Sequence, residues 1–178
     1  ISNRDYVRSE DIPNIELYMD QVTSFMDEQL SSSKRYDDDK ILTKTMINNY
    51  AKNNLLPPPV KKKYSKEHVI VMIFIYYFKT ILSIKDIETI LTPITEKYFG
   101  TDSAVDVASI YEEVCNTAKS QIQNLKDEVR EAYETSQNTF KDMEGLSDSD
   151  REYLQLFSLI SSLSFDVYAK KALIERII

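Results

Sequence analysis

The chain has 178 residues, and its composition, 42% hydrophobic and 29% charged, is ordinary for a soluble globular protein with a buried core. It carries 22 Lys and Arg against 29 Asp and Glu, which excludes nucleic-acid binding over the whole surface but not at a local basic patch. Only two glycines occur, too few for a sheet with many tight turns, so the sequence predicts an all-α protein.

The sequence also predicts a cytoplasmic protein without a membrane segment. Its one cysteine, Cys115, excludes an internal disulfide and fits a reducing compartment. The polar N-terminal residues lack the apolar stretch of a signal peptide. The longest apolar run, Val69 to Phe78, has ten residues, about half of the ~20 that a membrane-spanning helix needs.

A first amphipathic helix of about 18 residues is predicted after Pro13, because apolar residues recur at helical spacing as far as Leu30. Ser31 to Ser33 end it, and residues 35–40 form a loop. The three successive aspartates at 37–39 could ligate a cation. A metal site needs converging oxygen ligands, and nothing downstream has ligand spacing, so a solvated acidic loop is the preferred interpretation.

A short second helix, Lys44 to Asn53, is predicted behind an N-cap at Thr43. Met46, Ile47 and Tyr50 would face the core. The opposite face suits the major groove of DNA, because Asn pairs with adenine edges and Lys with guanine or phosphate. That polar face consists of Lys44, Thr45, Asn48, Asn49 and Lys52.

Lysines dominate the surrounding segment, since residues 40–66 hold seven lysines and no acidic residue. The Pro57–Pro59 turn leads into a basic run that we expect to contact phosphate. This run consists of Lys61, Lys62, Lys63 and Tyr64. A helix capped by Ser65 follows at Lys66 to Ile81, with a strand as the alternative for its β-branched residues. A lysine run can also serve solubility alone, and that interpretation stays open.

The C-terminal half is predicted to be helical throughout. A short helix spans Ser83 to Leu91, and residues 93–102, with Pro93 and Gly100, form a linker between domains at 1–92 and 103–178. From Ser103 to about Phe140 the small and apolar residues keep a 3-4 spacing, which is typical of a helix–helix seam. The seam positions predicted to form a homodimer are Ala118, Ile122, Leu125 and Val129. A short helical hairpin is predicted after them.

Signals for catalysis are sparse. His68 and Cys115 are the one histidine and the one cysteine, and they lie on separate predicted helices, so a nucleophile–base pair is not indicated. We interpret Cys115 as a small core residue and His68 as a surface or phosphate-adjacent side chain. Two isolated glycines cannot form a phosphate-binding loop. The sequence therefore predicts no enzyme, no metal site and no cofactor.

The order of elements along residues 41–91 carries a family resemblance. A short helix with Tyr50 near its end, the pair Leu55-Leu56, a proline turn and the basic Lys61–Tyr64 run follow one another. This order resembles the winged helix-turn-helix of the mercury-resistance-regulator (MerR) family. The resemblance implies a recognition helix at about 43–53, a short wing at about 57–64 and a dimerisation helix after them. Asn54 stands where the family has glycine, and this shorter wing lacks the family's arginine.

Residues 6–91 also look like an uncharacterised domain family of unknown function from low-GC Gram-positive bacteria, above all in the stretches IELYMDQV and TKTMINNYAKN. That likeness implies no activity. We therefore expect a MerR-like homodimeric regulator of transcription that binds double-stranded DNA through the residues named above. The alternative is a helical protein–protein interaction module that does not bind nucleic acid.

Overall fold

The computed structural model describes residues 7–178, apart from the side chains of Lys119, Ser120 and Gln123. The predicted all-α class is confirmed, with one small antiparallel ribbon added. The helices are α1 (Met19–Leu30), α2 (Lys44–Lys52), α3 (Lys66–Phe78), α4 (Ile84–Tyr98), α5 (Val107–Gln137) and α6 (Asp148–Ile177), and the strands are β1 (Leu17–Tyr18) and β2 (Lys63–Tyr64). Two 3-10 turns lie at Ser9–Asp11 and Ser31–Ser33. None of the helices described combines the length and the apolar character needed to cross a bilayer.

The chain divides into two compact units, one reaching as far as Thr117 and the other spanning Ala118–Ile177. Helix α5 contributes to both units. The boundary between the units lies after the predicted linker at residues 93–102. Much of that segment is helical, because α4 continues through Pro93 to Tyr98. The helix keeps its amphipathic face across the proline, since Ile87 and Leu91 are buried and Ile94 is half-buried. Packing of that face outweighs the cost of an interior proline.

Helix α3 forms the centre of the first unit. Every residue from His68 to Ile75 is buried, so the β-branched run is a helix enclosed on all sides and the alternative of a strand is wrong. Phe74 meets the ring of Tyr111 edge-on at 5.4 Å between centroids. Tyr111 also donates its hydroxyl hydrogen to the carbonyl of Val7, while the backbone N–H of Val7 donates to Tyr77 at 3.1 Å. These bonds tie the start of the described chain to the core.

Helix α1 begins later than predicted, because Leu17 and Tyr18 form β1 instead of helix. Strand β1 pairs antiparallel with β2, with Leu17 opposite Tyr64, and both of these side chains are buried. The side chain of Gln21 accepts a hydrogen bond from the backbone N–H of Tyr18 at 2.8 Å. Burial of Leu17 in the ribbon therefore outweighs the helical spacing of the apolar residues in this part of the chain.

The second unit is an antiparallel helical hairpin. Gln155 of α6 donates to the carbonyls of Gln137 and Thr139 at 2.9 and 3.1 Å, and Lys170 lies 3.8 Å from the carboxylate of Glu128. The guanidinium of Arg151 donates to three carbonyls of the intervening turn, including that of Met143. The sequence predicted a short helical hairpin in this region. The structure has the single helix α6 there instead, and it returns along α5.

Candidate nucleic-acid interface

Helix α2 presents the polar face that the sequence predicts. The hydroxyl of Thr43 accepts a hydrogen bond from the N–H of Met46 at 3.2 Å, which confirms the N-cap. Ile47 and Tyr50 are buried and Met46 is half-buried. The exposed residues are Lys44, Thr45, Asn48, Asn49 and Lys52. Asn54 adopts a left-handed φ of 57° just beyond the helix, next to the end predicted at Asn53.

Helix α2 packs against α1, and the segment between them, residues 31–43, is held to the core at its end. The ammonium of Lys79 donates to the carbonyl of Ile41 at 2.9 Å, and burial lowers the pKa of this lysine below its usual value. In the acidic loop the carboxylate of Asp39 accepts from the backbone N–H groups of Arg35 and Tyr36, both at 3.0 Å. Asp39 thus closes its own loop. Within the described residues no set of acidic, histidine or cysteine side chains could hold a metal ion.

The basic run forms a two-residue hairpin turn. Val60 and Lys63 exchange backbone hydrogen bonds of 3.1 and 2.9 Å around Lys61 and Lys62. Both turn lysines have left-handed φ angles, 51° and 65°, and both side chains are exposed. Positive φ at both central positions is the pattern of a type I′ turn, for which Asn-Gly is the preferred sequence. Lysine there costs about 1 kcal/mol per residue, so the turn displays two charges at the expense of stability.

Two residues of the predicted interface region are buried, which corrects their expected roles. Tyr64 is 3% exposed and meets the ring of His68 edge-on at 5.5 Å. Its hydroxyl-bearing ring supports β2 from inside and is not available to phosphate. His68 is also 3% exposed, so the prediction of a surface histidine is wrong.

His68 connects the proline turn to α3. Its Nδ1 accepts from the backbone N–H of Ser65 at 3.0 Å, which leaves Nε2 to donate to the carbonyl of Pro58 at 3.3 Å. Burial lowers the pKa of His68, and the carbonyls of Pro58 and Pro57 oppose this only in part. A neutral imidazole thus bridges the residues that precede the hairpin and the helix that follows it.

Two carboxylates bring the hairpin and α2 to the same part of the unit. Lys63 lies 3.3 Å from Glu16, and its ammonium is 5.7 Å from the centre of the Tyr18 ring. Lys44, at the start of α2, forms an ion pair with Asp20. Glu16 and Asp20 flank β1, so the first turn of α2 and the base of the hairpin both approach the short segment between them. Lys61 and Lys62 are exposed in the turn next to Lys63, so Lys44, Lys61, Lys62 and Lys63 form one basic surface. Lys52 is exposed at the other end of α2.

Sequence reasoning missed Glu16 and Asp20, since nothing in their local pattern indicates pairing with lysines more than twenty positions away. Both acids reduce the positive charge of the basic surface. They also hold two of its lysines in place.

The predicted dimer seam lies on α5 in the second unit. Ala118, Ile122, Leu125 and Val129 are half-buried there, on the helix that pairs with α6 within one chain. Their role between chains stays a prediction. Cys115 is buried, as expected of a core residue.

Comparison with known proteins identifies one family model, described as "Domain of unknown function (DUF1836)", which matches residues 7–114. No curated protein and no solved structure matches the chain. The matched region contains α1 to α4, both strands and the first turns of α5.

Proposed function

The chain belongs to the DUF1836 family, and we propose that it is a bacterial, cytoplasmic regulator of transcription that binds double-stranded DNA as a homodimer. In this proposal α2 is the recognition helix of a MerR-like winged helix-turn-helix, and residues 57–64 are a short wing. The observation that carries it is the strained turn at Lys61 and Lys62, which displays two charges where an uncharged pair would be more stable.

The dimensions of α2 suit the major groove. Its nine residues extend about 13 Å at 1.5 Å per residue, comparable with the ~12 Å width of the groove. Asn48 and Asn49, in the middle of the exposed face, have the donor and acceptor pair that reads adenine edges. Lys44 at one end and Lys52 at the other would contact phosphate and fix the register.

The wing supplies charge beside the recognition helix. Lys61 and Lys62 project from the hairpin, whose base is joined to the segment Glu16–Asp20 that also holds Lys44. A backbone phosphate flanking the groove would meet these side chains. Its negative charge would compete with Glu16 and Asp20 for Lys63 and Lys44.

The second candidate function is a helical protein–protein interaction module that does not bind nucleic acid. Large apolar side chains exposed along α6 favour it, including Tyr153, Phe157 and Tyr168. In that case the lysines of residues 40–66 would serve solubility.

Fluorescence anisotropy with a labelled mixed-sequence duplex, titrated with salt, separates the two functions. We expect a log–log salt slope of about −0.9 for each phosphate neutralised. The double variant Lys61→Glu/Lys62→Glu should lose binding and keep its helical circular dichroism. The control Lys85→Glu/Lys126→Glu makes the same change of charge at exposed positions outside the basic surface and should bind almost normally. Absence of duplex binding by the parent protein at low salt would refute the proposal.

Selection of binding sites from a random duplex library then tests sequence reading. We expect Asn48→Ala and Asn49→Ala to relax the selected sequence, at roughly 1–3 kcal/mol of discrimination per lost base contact. Lys52→Ala should weaken all duplexes alike.

A further inference from the structure

An exposed apolar stripe runs along α6, for the most part on the side that faces away from its hairpin partner. Its members are between 52% and 71% exposed. They are Tyr153, Leu156, Phe157, Ile160, Val167 and Tyr168. Their spacing of three and four residues continues through the half-buried Leu163, which is the pattern of a coiled-coil seam. At about 100° per residue most of this stripe points away from Gln155, whose side chain is bonded to the turn of the hairpin. Leu156 lies at its edge, beside a cleft lined by Tyr133 and Ser136 of α5.

The stripe reaches the upper end of what a monomer normally exposes. Six large side chains that are each more than half exposed present roughly 600 Å² of mainly apolar surface, against the 300–600 Å² of the largest patch on a typical monomer. With the polar residues beside it, the surface approaches the ~800 Å² per partner of a stable interface.

The charges of α6 indicate what covers the stripe. Residues 148–152 carry three acids and Arg151, a net charge of −2, whereas residues 166–176 carry Lys170, Lys171 and Arg176 with Asp166 and Glu175, a net charge of +1. A second α6 laid antiparallel across the first places each acidic end against a basic end. It also opposes the two helix dipoles. The surface is therefore complementary to itself, as a two-fold interface requires.

We propose that two copies of this chain associate through the apolar stripes of their α6 helices, packed antiparallel into a four-helix bundle. In the register that the charges favour, Leu156 of one copy lies beside Val167 of the other, and Ile160 lies beside Leu163. Glu152 then approaches Lys171 at both ends. The inference deepens the homodimer of the proposed function and locates its contact on α6, whereas the sequence predicted it on α5. It does not depend on contact with DNA.

Sedimentation equilibrium of the full chain tests the contact. The parent protein should have twice the chain mass of 20.7 kDa, and Leu156→Glu/Ile160→Glu should be monomeric. The control Val105→Glu/Val114→Glu changes two exposed valines in the other unit and should stay dimeric. Circular dichroism establishes that each variant is folded. A monomeric parent protein overturns the proposal and leaves α6 to a different partner. A dimer that survives the α6 change but dissociates on Ile122→Asp, with helicity intact, overturns it in favour of the α5 seam.

A charge exchange tests the antiparallel register. Glu152→Lys and Lys171→Glu should each raise the dimer dissociation constant by about tenfold, because each converts two attractive pairs into repulsive ones. The double variant should restore it. Two harmful single changes without restoration would exclude this register. DNA anisotropy on the monomeric variant keeps the two proposals apart, since binding to a single site by a monomer would support DNA contact whatever the outcome for α6.

Discussion

Replacing Lys61 with Asn and Lys62 with Gly should make the protein more stable and its binding to DNA weaker. Each lysine holds a left-handed φ that costs about 1 kcal/mol, while Asn and Gly adopt it readily. Glycine at position 62 reduces this gain by about 0.5–1 kcal/mol, because it increases the conformational entropy of the unfolded chain. The net gain is about 1 kcal/mol. It should appear as a higher denaturant midpoint for the first unit, which contains the turn at Lys61 and Lys62.

Binding should change in the opposite sense. Removal of two ammonium groups from the wing should reduce the magnitude of the log–log salt slope by about 2 if both contact phosphate. The variant Lys61→Arg/Lys62→Arg is the matched control, because it retains both the charges and the backbone strain. Its stability and affinity should stay close to those of the parent protein.

The two measurements can each refute the reasoning. An Asn-Gly variant that is no more stable than the arginine control would mean that the turn is not strained. A variant that is more stable but binds duplex with an unchanged salt slope would mean that the turn lysines do not reach phosphate. Only the combination of higher stability with weaker binding indicates a turn whose residues serve binding.

Three further results are expected from the same unit. Changing Glu16 to Gln and Asp20 to Asn should tighten duplex binding several-fold at low salt, because both acids compete with phosphate for lysines, and unchanged anisotropy curves would contradict this. Burial lowers the pKa of His68, so the neutral side chain contributes its full stability above about pH 6.5. Below that pH the free energy of unfolding should fall by at most about 1.4 kcal/mol per pH unit. The variant His68→Gln should show a flatter dependence of unfolding free energy on pH. Pro93→Ala should raise stability by roughly 1–3 kcal/mol in urea titrations, and a decrease would show that the proline itself is needed.

Local chemistry made much of the helical layout predictable. The N-cap at Thr43 depends only on neighbours within one turn, and it is present. A cap of the same local kind, between Ser83 and Asp86, begins α4. The exposed face of α2 was predictable for the same reason, because a period of 3.6 residues assigns each side chain to a side. The left-handed φ of Asn54 beyond α2 is equally local, because asparagine tolerates that conformation.

Other features depend on partners that are distant along the chain. Leu17 and Tyr18 continue a helical pattern, and only pairing with β2, more than forty residues later, makes them a strand. His68 begins a helix next to a lysine run, which suggests a surface position. The fold nevertheless encloses it between Tyr64 and Phe99 and gives it the Pro58 carbonyl as a partner. No local pattern encodes such contacts.

The charge distribution limits how the proposed surface could work. Residues 40–66 carry +7 while the rest of the chain carries −14, from 15 basic and 29 acidic residues. Acidic surface elsewhere repels phosphate, so sliding contact over a long stretch of duplex is disfavoured and binding depends on one small patch. A single patch of this size would neutralise few phosphates and would give modest affinity at physiological salt. Two copies joined through α6 would present two patches, and the second contact would then be intramolecular and far stronger. Self-association and DNA contact would thus support each other, and each is tested by a separate measurement.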